Sequence, residues 1–133
     1  MVHGKVKVDL YGWIVYLYIF EGVDDVALFK KLAKYKTGDQ KETDDMLSEV
    51  EKGYSNGGLT VSYNNKTTNI LIHPCNRIDI MLNVLLHEKR HTEDFIIEHV
   101  GIVGGESFAY LSGYLGENLL KIALKDTLFM KKK

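Results

Sequence analysis

At 133 residues the chain suits one ordinary domain and is too short for two, and at that length folding buries roughly two-thirds of the unfolded surface. With 45% hydrophobic and 26% charged residues, it lies outside the compositions of disordered and collagen-like chains. A formal net charge of −1, with Lys131-Lys132-Lys133 as the basic run, argues against nucleic-acid binding, and one cysteine, Cys75, excludes an internal disulfide framework and a multi-cysteine metal site.

In chain order, Val6, Val8 and Leu10 alternate with Lys5, Lys7 and Asp9, the period of a half-buried strand. Tyr11-Gly12 reads as a turn, and Trp13 to Phe20, β-branched and aromatic on both faces, as an interior strand covered on both sides. That apolar stretch is far short of the roughly 20 residues a membrane span needs. The first residues also lack the basic and apolar regions of a signal peptide, so a soluble, cytoplasmic protein with no membrane partner is expected. Gly22 to Lys36 is predicted helical, with Val26, Phe29, Leu32, Ala33 and Tyr35 on its apolar side. Residues 37–57 are polar and acidic and read as a surface insertion, in which Met46, Leu47 and Val50 anchor one short helix.

Leu59 to Tyr63, the turn Asn64-Asn65-Lys66 and Thr67 to His73 form a second predicted hairpin, ended by Pro74. A long helix over about 77–99 follows, with Asn76 as N-cap and Asp79 in the capping-box position. Ile78, Met81, Leu85 and Ile96 share one side of it, and Gly101, Gly104 and Gly105 break it. A last helix from about Glu106 to Leu128 buries Phe108, Leu111, Leu115, Leu119 and Ile122, while Ala109, Gly113 and Gly116 make a small-residue face for a close neighbour. The order defines a single α+β domain, a small antiparallel or mixed sheet packed on the two C-terminal helices.

The sharpest chemical signal is His87-Glu88-Lys89-Arg90-His91, which fits H-E-x-x-H. Residues four apart stack on one helix face, so two imidazoles converge on one cation, and the intervening glutamate can take a proton from metal-bound water. The apolar run Ile80 to Leu86 supplies the helical context. A catalytic zinc takes three protein ligands and keeps an open position. On the same helix Asp94 suits an outer carboxylate orienting an imidazole. Glu98 is too distant, and His99 is out of register and reads as a helix-end residue. Glu106 is the better third ligand, because a glycine turn reverses the chain and sets the first turn of the next helix beside the motif. A carboxylate at a helix N-terminus is also stabilised by the macrodipole alone.

The motif followed by a glutamate on the next helix resembles the gluzincin arrangement. Glu106-Ser107-Phe108-Ala109-Tyr110-Leu111-Ser112-Gly113-Tyr114-Leu115 resembles the E-x-x-A-Y-L-x-G-Y-L segment of small phage- and prophage-encoded zincin-like proteins. The resemblance spans about residues 82–118. It implies a zincin-like fold, zinc held by His87, His91 and Glu106, Glu88 as general base, and hydrolysis of peptide bonds in a peptide or protein substrate, in the cytoplasm of a bacterial host. Larger gluzincins bring an oxyanion-stabilising His or Tyr from a separate domain; here Tyr110 and Tyr114 are the candidates, with aromatic packing as their alternative role. The rival expectation is a zincin-fold binding or assembly module that no longer turns over substrate. His3, His73 and His99 are expected to be ordinary, His73 at the surface or in a turn, Cys75 a small buried residue, and Lys89 and Arg90 the solvated side of the motif helix, Arg90 also suiting a substrate carboxylate.

Overall fold

The computed structural model describes residues 1–33, 40–101 and 105–125. The N-terminal alternation becomes β1 (Val2–Val8) and β2 (Trp13–Ile19), joined by a single 3-10 turn at Asp9–Tyr11 that closes on Gly12, whose φ of 64° is the left-handed conformation glycine adopts without strain. Next come α1 (Asp25–Ala33) and α2 (Gln40–Glu51), then the second hairpin, β3 (Gly58–Tyr63) and β4 (Thr67–Ile72). The chain closes with α3 (Ile78–Val100) and α4 (Gly105–Leu124). The predicted Tyr35 and Lys36, and everything after Lys125, lie outside the described residues.

The four strands form one mixed sheet in the order β1-β2-β4-β3. Both hairpins are antiparallel, and β2 pairs parallel with β4, with Leu17 opposite Ile70 and Ile19 opposite Ile72. A parallel neighbour needs a long crossover, which α1 and α2 supply. The period-2 rule then separates two cores. Val15, Leu17, Ile70 and Ile72 face α3 and α4, where Leu85, Ile96, Leu111, Leu115 and Leu119 meet them. Tyr18, Phe20 and Leu71 face the other way, onto Val26 and Phe29 of α1 and Met46, Leu47 and Val50 of α2. β2 is therefore covered on both faces, as its continuous apolar run predicts.

Three expectations are corrected. The stretch 37–57, read as a surface insertion with one short helix, holds a 12-residue helix at Gln40–Glu51 whose three apolar residues are all buried and form part of the second core. The polarity of this stretch belongs to the outer side of an amphipathic helix. At the start of α3 the N-cap is Arg77, not Asn76, with extended backbone and no side-chain cap; Asp79 pairs with the Arg77 guanidinium at 2.7 Å instead. Ile78 is half exposed, while Met81, Leu85 and Ile96 carry the buried side. At the other end Gly101, at φ 70°, stops the helix as expected and donates its N–H to the Ile97 carbonyl at 2.9 Å. No helix among the described residues is long and apolar enough to cross a membrane.

Candidate functional site

The motif sits in the middle of α3, whose apolar side is held against the sheet by Met81, Leu85 and Ile96. That packing turns Glu88 toward β3 and leaves His87 and His91 on the exposed side, one turn apart. The two imidazoles converge: their Nε2 atoms are 3.2 Å apart and the rings meet edge to face, centroids 4.8 Å apart. Two nitrogens bound to one tetrahedral ion at 2.0–2.1 Å stand about 3.3–3.4 Å apart, close to the spacing of this pair.

Glu88 is 5% exposed. The Thr60 hydroxyl on β3 donates to its Oε1 at 2.8 Å, and also lies 3.1 Å from the Glu88 backbone carbonyl. Gly58, two residues earlier on the same face of β3, leaves the room the carboxylate fills: a Cβ there would stand 3.2 Å from Oε2 and 2.8 Å from Val84 Cγ1. His87, Glu88 and His91 line one open cleft of about 410 Å³ with Gly58, Leu59, Thr60, Ser62 and Phe95. The cleft thus lies between the motif helix and β3, the strand at one edge of the sheet.

The backbone of that edge faces outward. His73 donates its N–H to the Gly57 carbonyl, which makes Gly57–His73 a hydrogen-bonded pair. With Leu59 opposite Leu71 and Val61 opposite Asn69, the pairing groups of β3 belong to its odd residues. The N–H and C=O groups of Gly58, Thr60 and Ser62 point away from β4, and no other element among the described residues bonds to them. Below the cleft the Trp13 indole donates to Thr68 Oγ1 at 2.9 Å, and Thr68 shares a hydrogen bond with Ser62 at 2.8 Å.

The other sequence candidates are placed elsewhere. Glu106 is exposed in the first turn of α4, and among the described residues no three His, Cys, Asp or Glu side chains gather closely enough to hold a metal ion. The packing gives the reason. α4 meets α3 where Lys89 Nζ reaches the Ser112 hydroxyl at 3.0 Å and where the Arg90 guanidinium lies 5.2 Å from the Phe108 ring centre. Lys89 is about 200° around the helix from His87. The small face expected to admit α3 is exposed at Ala109 and Gly113, with nothing near Gly113; the close approach is at Gly116, where a Cβ would stand 3.6 Å from Lys89 Cε.

Asp94 binds Arg90 at 3.2 Å and makes no hydrogen bond to an imidazole. Tyr114 donates its hydroxyl to the Lys7 carbonyl of β1 at 2.7 Å, and Tyr110, 56% exposed, stacks on Tyr114 with ring centroids 6.1 Å apart. Both tyrosines therefore serve the β1 side of the sheet. His99 packs against Trp13, centroids 5.2 Å apart. His73 is buried, contrary to a surface reading, with Nε2 3.8 Å from a Glu49 carboxylate oxygen. Cys75 is half-buried and donates its thiol to the Arg77 carbonyl. Lys89 is largely buried and ion-paired at 3.1 Å with Glu93, itself 2% exposed.

Sequence reasoning missed Thr60, Gly58 and the Lys89–Glu93 pair. The small residues at 58, 60 and 62 are a visible sign of a strand face pressed by something bulky, but nothing in the sequence names Glu88 as that neighbour. Compared with protein-family models, with curated proteins and with solved structures, the chain matches none.

Proposed function

We propose that the chain is a zinc-dependent metallopeptidase with a minimal, zincin-like site. The observation that carries the reading is the convergence of His87 and His91, Nε2 to Nε2 at 3.2 Å, beside the buried carboxylate of Glu88 in one cleft. His87 and His91 would hold the metal, and Glu106, exposed in the first turn of α4 and apart from the histidine pair in this structure, would have to move toward it to serve as the third ligand. Bound there, zinc supplies a Lewis acid and a water acidified to near neutrality.

Glu88 acts as the general base, receiving a proton on its carboxylate and returning it to the departing amine. The outward backbone groups of Gly58, Thr60 and Ser62 bind the substrate as an added strand, which lays an extended peptide along the cleft. Small side chains at these positions keep the cleft wide beside the peptide. A cytoplasmic setting is part of this proposal.

Zinc analysis after expression in zinc-supplemented medium tests the centre. About one zinc per chain is expected in the parent and under a tenth of that in His91→Ala. Glu106→Gln should weaken zinc affinity by more than the roughly 10–100-fold typical of a group that only orients a ligand, and a Glu106→Gln chain that keeps the parent's affinity removes Glu106 from the ligand set. A second reading is a binding or assembly module on the same fold, favoured by the exposure of Glu106 and the lack of a gathered third ligand among the described residues. It predicts a chain that captures extended peptides at β3 and cleaves none of a broad peptide library.

A further inference from the structure

We propose that Thr60, on the edge strand, is a positioning residue for the Glu88 carboxylate, with Gly58 as the gap that lets the carboxylate sit under that strand; this rests on the hydrolase reading above. Glu88 is nearly withdrawn from water, and the Thr60 hydroxyl is the one protein donor its carboxylate receives among the described residues. A buried carboxylate without a partner is costly, so a single hydrogen bond has a large influence on where it rests. The bond fixes Oε1 and leaves Oε2 without a protein donor, so one oxygen holds the group in place while the other stays available to accept a proton.

Gly58 closes the cradle from the neighbouring position. A Cβ there would come within 3.0 Å of Glu88 Cγ and 2.8 Å of Val84 Cγ1. Val84 is branched at Cβ and held in the helix, so it gives way poorly. Any side chain at 58 therefore displaces the carboxylate or the strand. Thr60 and Gly58 also carry outward backbone groups of β3, so the strand that would hold the peptide also holds the base. Their coupling fixes the distance between the bound peptide backbone and Glu88, and errors on the scale of an ångström in such a distance are expensive in rate.

The test compares Thr60→Val, Thr60→Ser and Gly58→Ala with the parent, each loaded with zinc and assayed on a cleaved peptide, with bound zinc and folded fraction measured in the same samples. Thr60→Val removes the donor at nearly constant volume. It should lower kcat about 10–100-fold, with KM and zinc content within about twofold of the parent. Thr60→Ser, which restores the hydroxyl, should recover most of that loss. Gly58→Ala should lower kcat in the same direction through displacement rather than loss of a donor.

A merely structural Thr60 would lower the melting temperature of Thr60→Val and leave kcat per folded, zinc-loaded chain unchanged, and that result overturns the proposal while the hydrolase reading stands. A parent chain that binds zinc and cleaves nothing overturns the hydrolase reading and the catalytic role of Thr60 with it. Should Thr60→Val fail to fold, Thr60→Ala in its place keeps the same two outcomes.

Discussion

The two edges of the sheet have opposite fates. On β1 the hydrogen bonds Ile14 N–H to Lys66 and Phe20 N–H to Ile72 direct the even residues of β2 toward β4, so the odd residues of β1 face outward. α4 covers that edge. Tyr114 donates to the Lys7 carbonyl and Lys125 to the His3 carbonyl, both at 2.7 Å, and a Cβ on Gly4 would stand 3.0 Å from Ile122. The β3 edge has small side chains on its cleft face, outward backbone groups that no other element among the described residues bonds, and the motif beside it. An uncovered strand edge invites unwanted pairing, and proteins normally block it. Here one edge is blocked by a helix and the other is kept open where the chemistry-bearing residues lie. The difference teaches that the open edge is part of the site.

Removing the base at the open edge should have the largest effect. Glu88→Gln keeps the size of the side chain and an acceptor for Thr60, and loses the group that takes the proton. Peptide hydrolysis should fall about 10²–10⁴-fold with zinc content unchanged. Parent-like hydrolysis by zinc-loaded Glu88→Gln would break the link between the open edge and catalysis.

Next in size is the clamp that keeps α4 on the far side of α3. Lys89 and Glu93, with side chains 12% and 3% exposed, pair inside the helix interface. Lys89→Met leaves the Glu93 charge buried alone and should cost about 3–5 kcal/mol of unfolding free energy in urea denaturation. Replacing both, with Met at 89 and Leu at 93, should recover most of that loss, because the uncompensated charge is then gone. A single variant as stable as the parent would show that Glu93 reaches water by another route.

Much of this was readable before the structure. The strand alternations, the αL stop at Gly101 and the convergence of His87 on His91 follow from short-range rules, where spacing alone decides which side chains meet. The two cores were half readable: Met46, Leu47 and Val50 were identified as an anchor, but a polar surrounding hid that their helix covers the second face of the sheet. Long-range packing was not readable. Lys89 sits among charged residues in sequence, and only the arrival of Ser112 and Gly116 buries it. Glu106 was assigned to the motif because a short connection brings adjacent helix ends together. The side of α3 on which α4 lands depends on Phe108, Ser112 and Gly116, and no local pattern encodes that choice.

The smallest effect is expected at the blocked edge. Tyr114 was a candidate for stabilising a developing oxyanion, yet its hydroxyl is committed to the Lys7 carbonyl. Strand order puts β1 three spacings from β3, about 14 Å across the sheet. Tyr114→Phe removes one hydrogen bond and little volume, so it should cost about 0.5–1.5 kcal/mol of stability in urea denaturation. Zinc content should be unchanged, and kcat should stay within about twofold of the parent. A loss of two orders of magnitude in kcat, with folding intact, would mean that the tyrosine swings from β1 to the cleft during turnover, and the division between a blocked and an open edge would fail. An unchanged kcat with reduced stability would confine Tyr114 to holding α4 over β1, where the carbonyl it releases becomes an acceptor for a neighbouring chain.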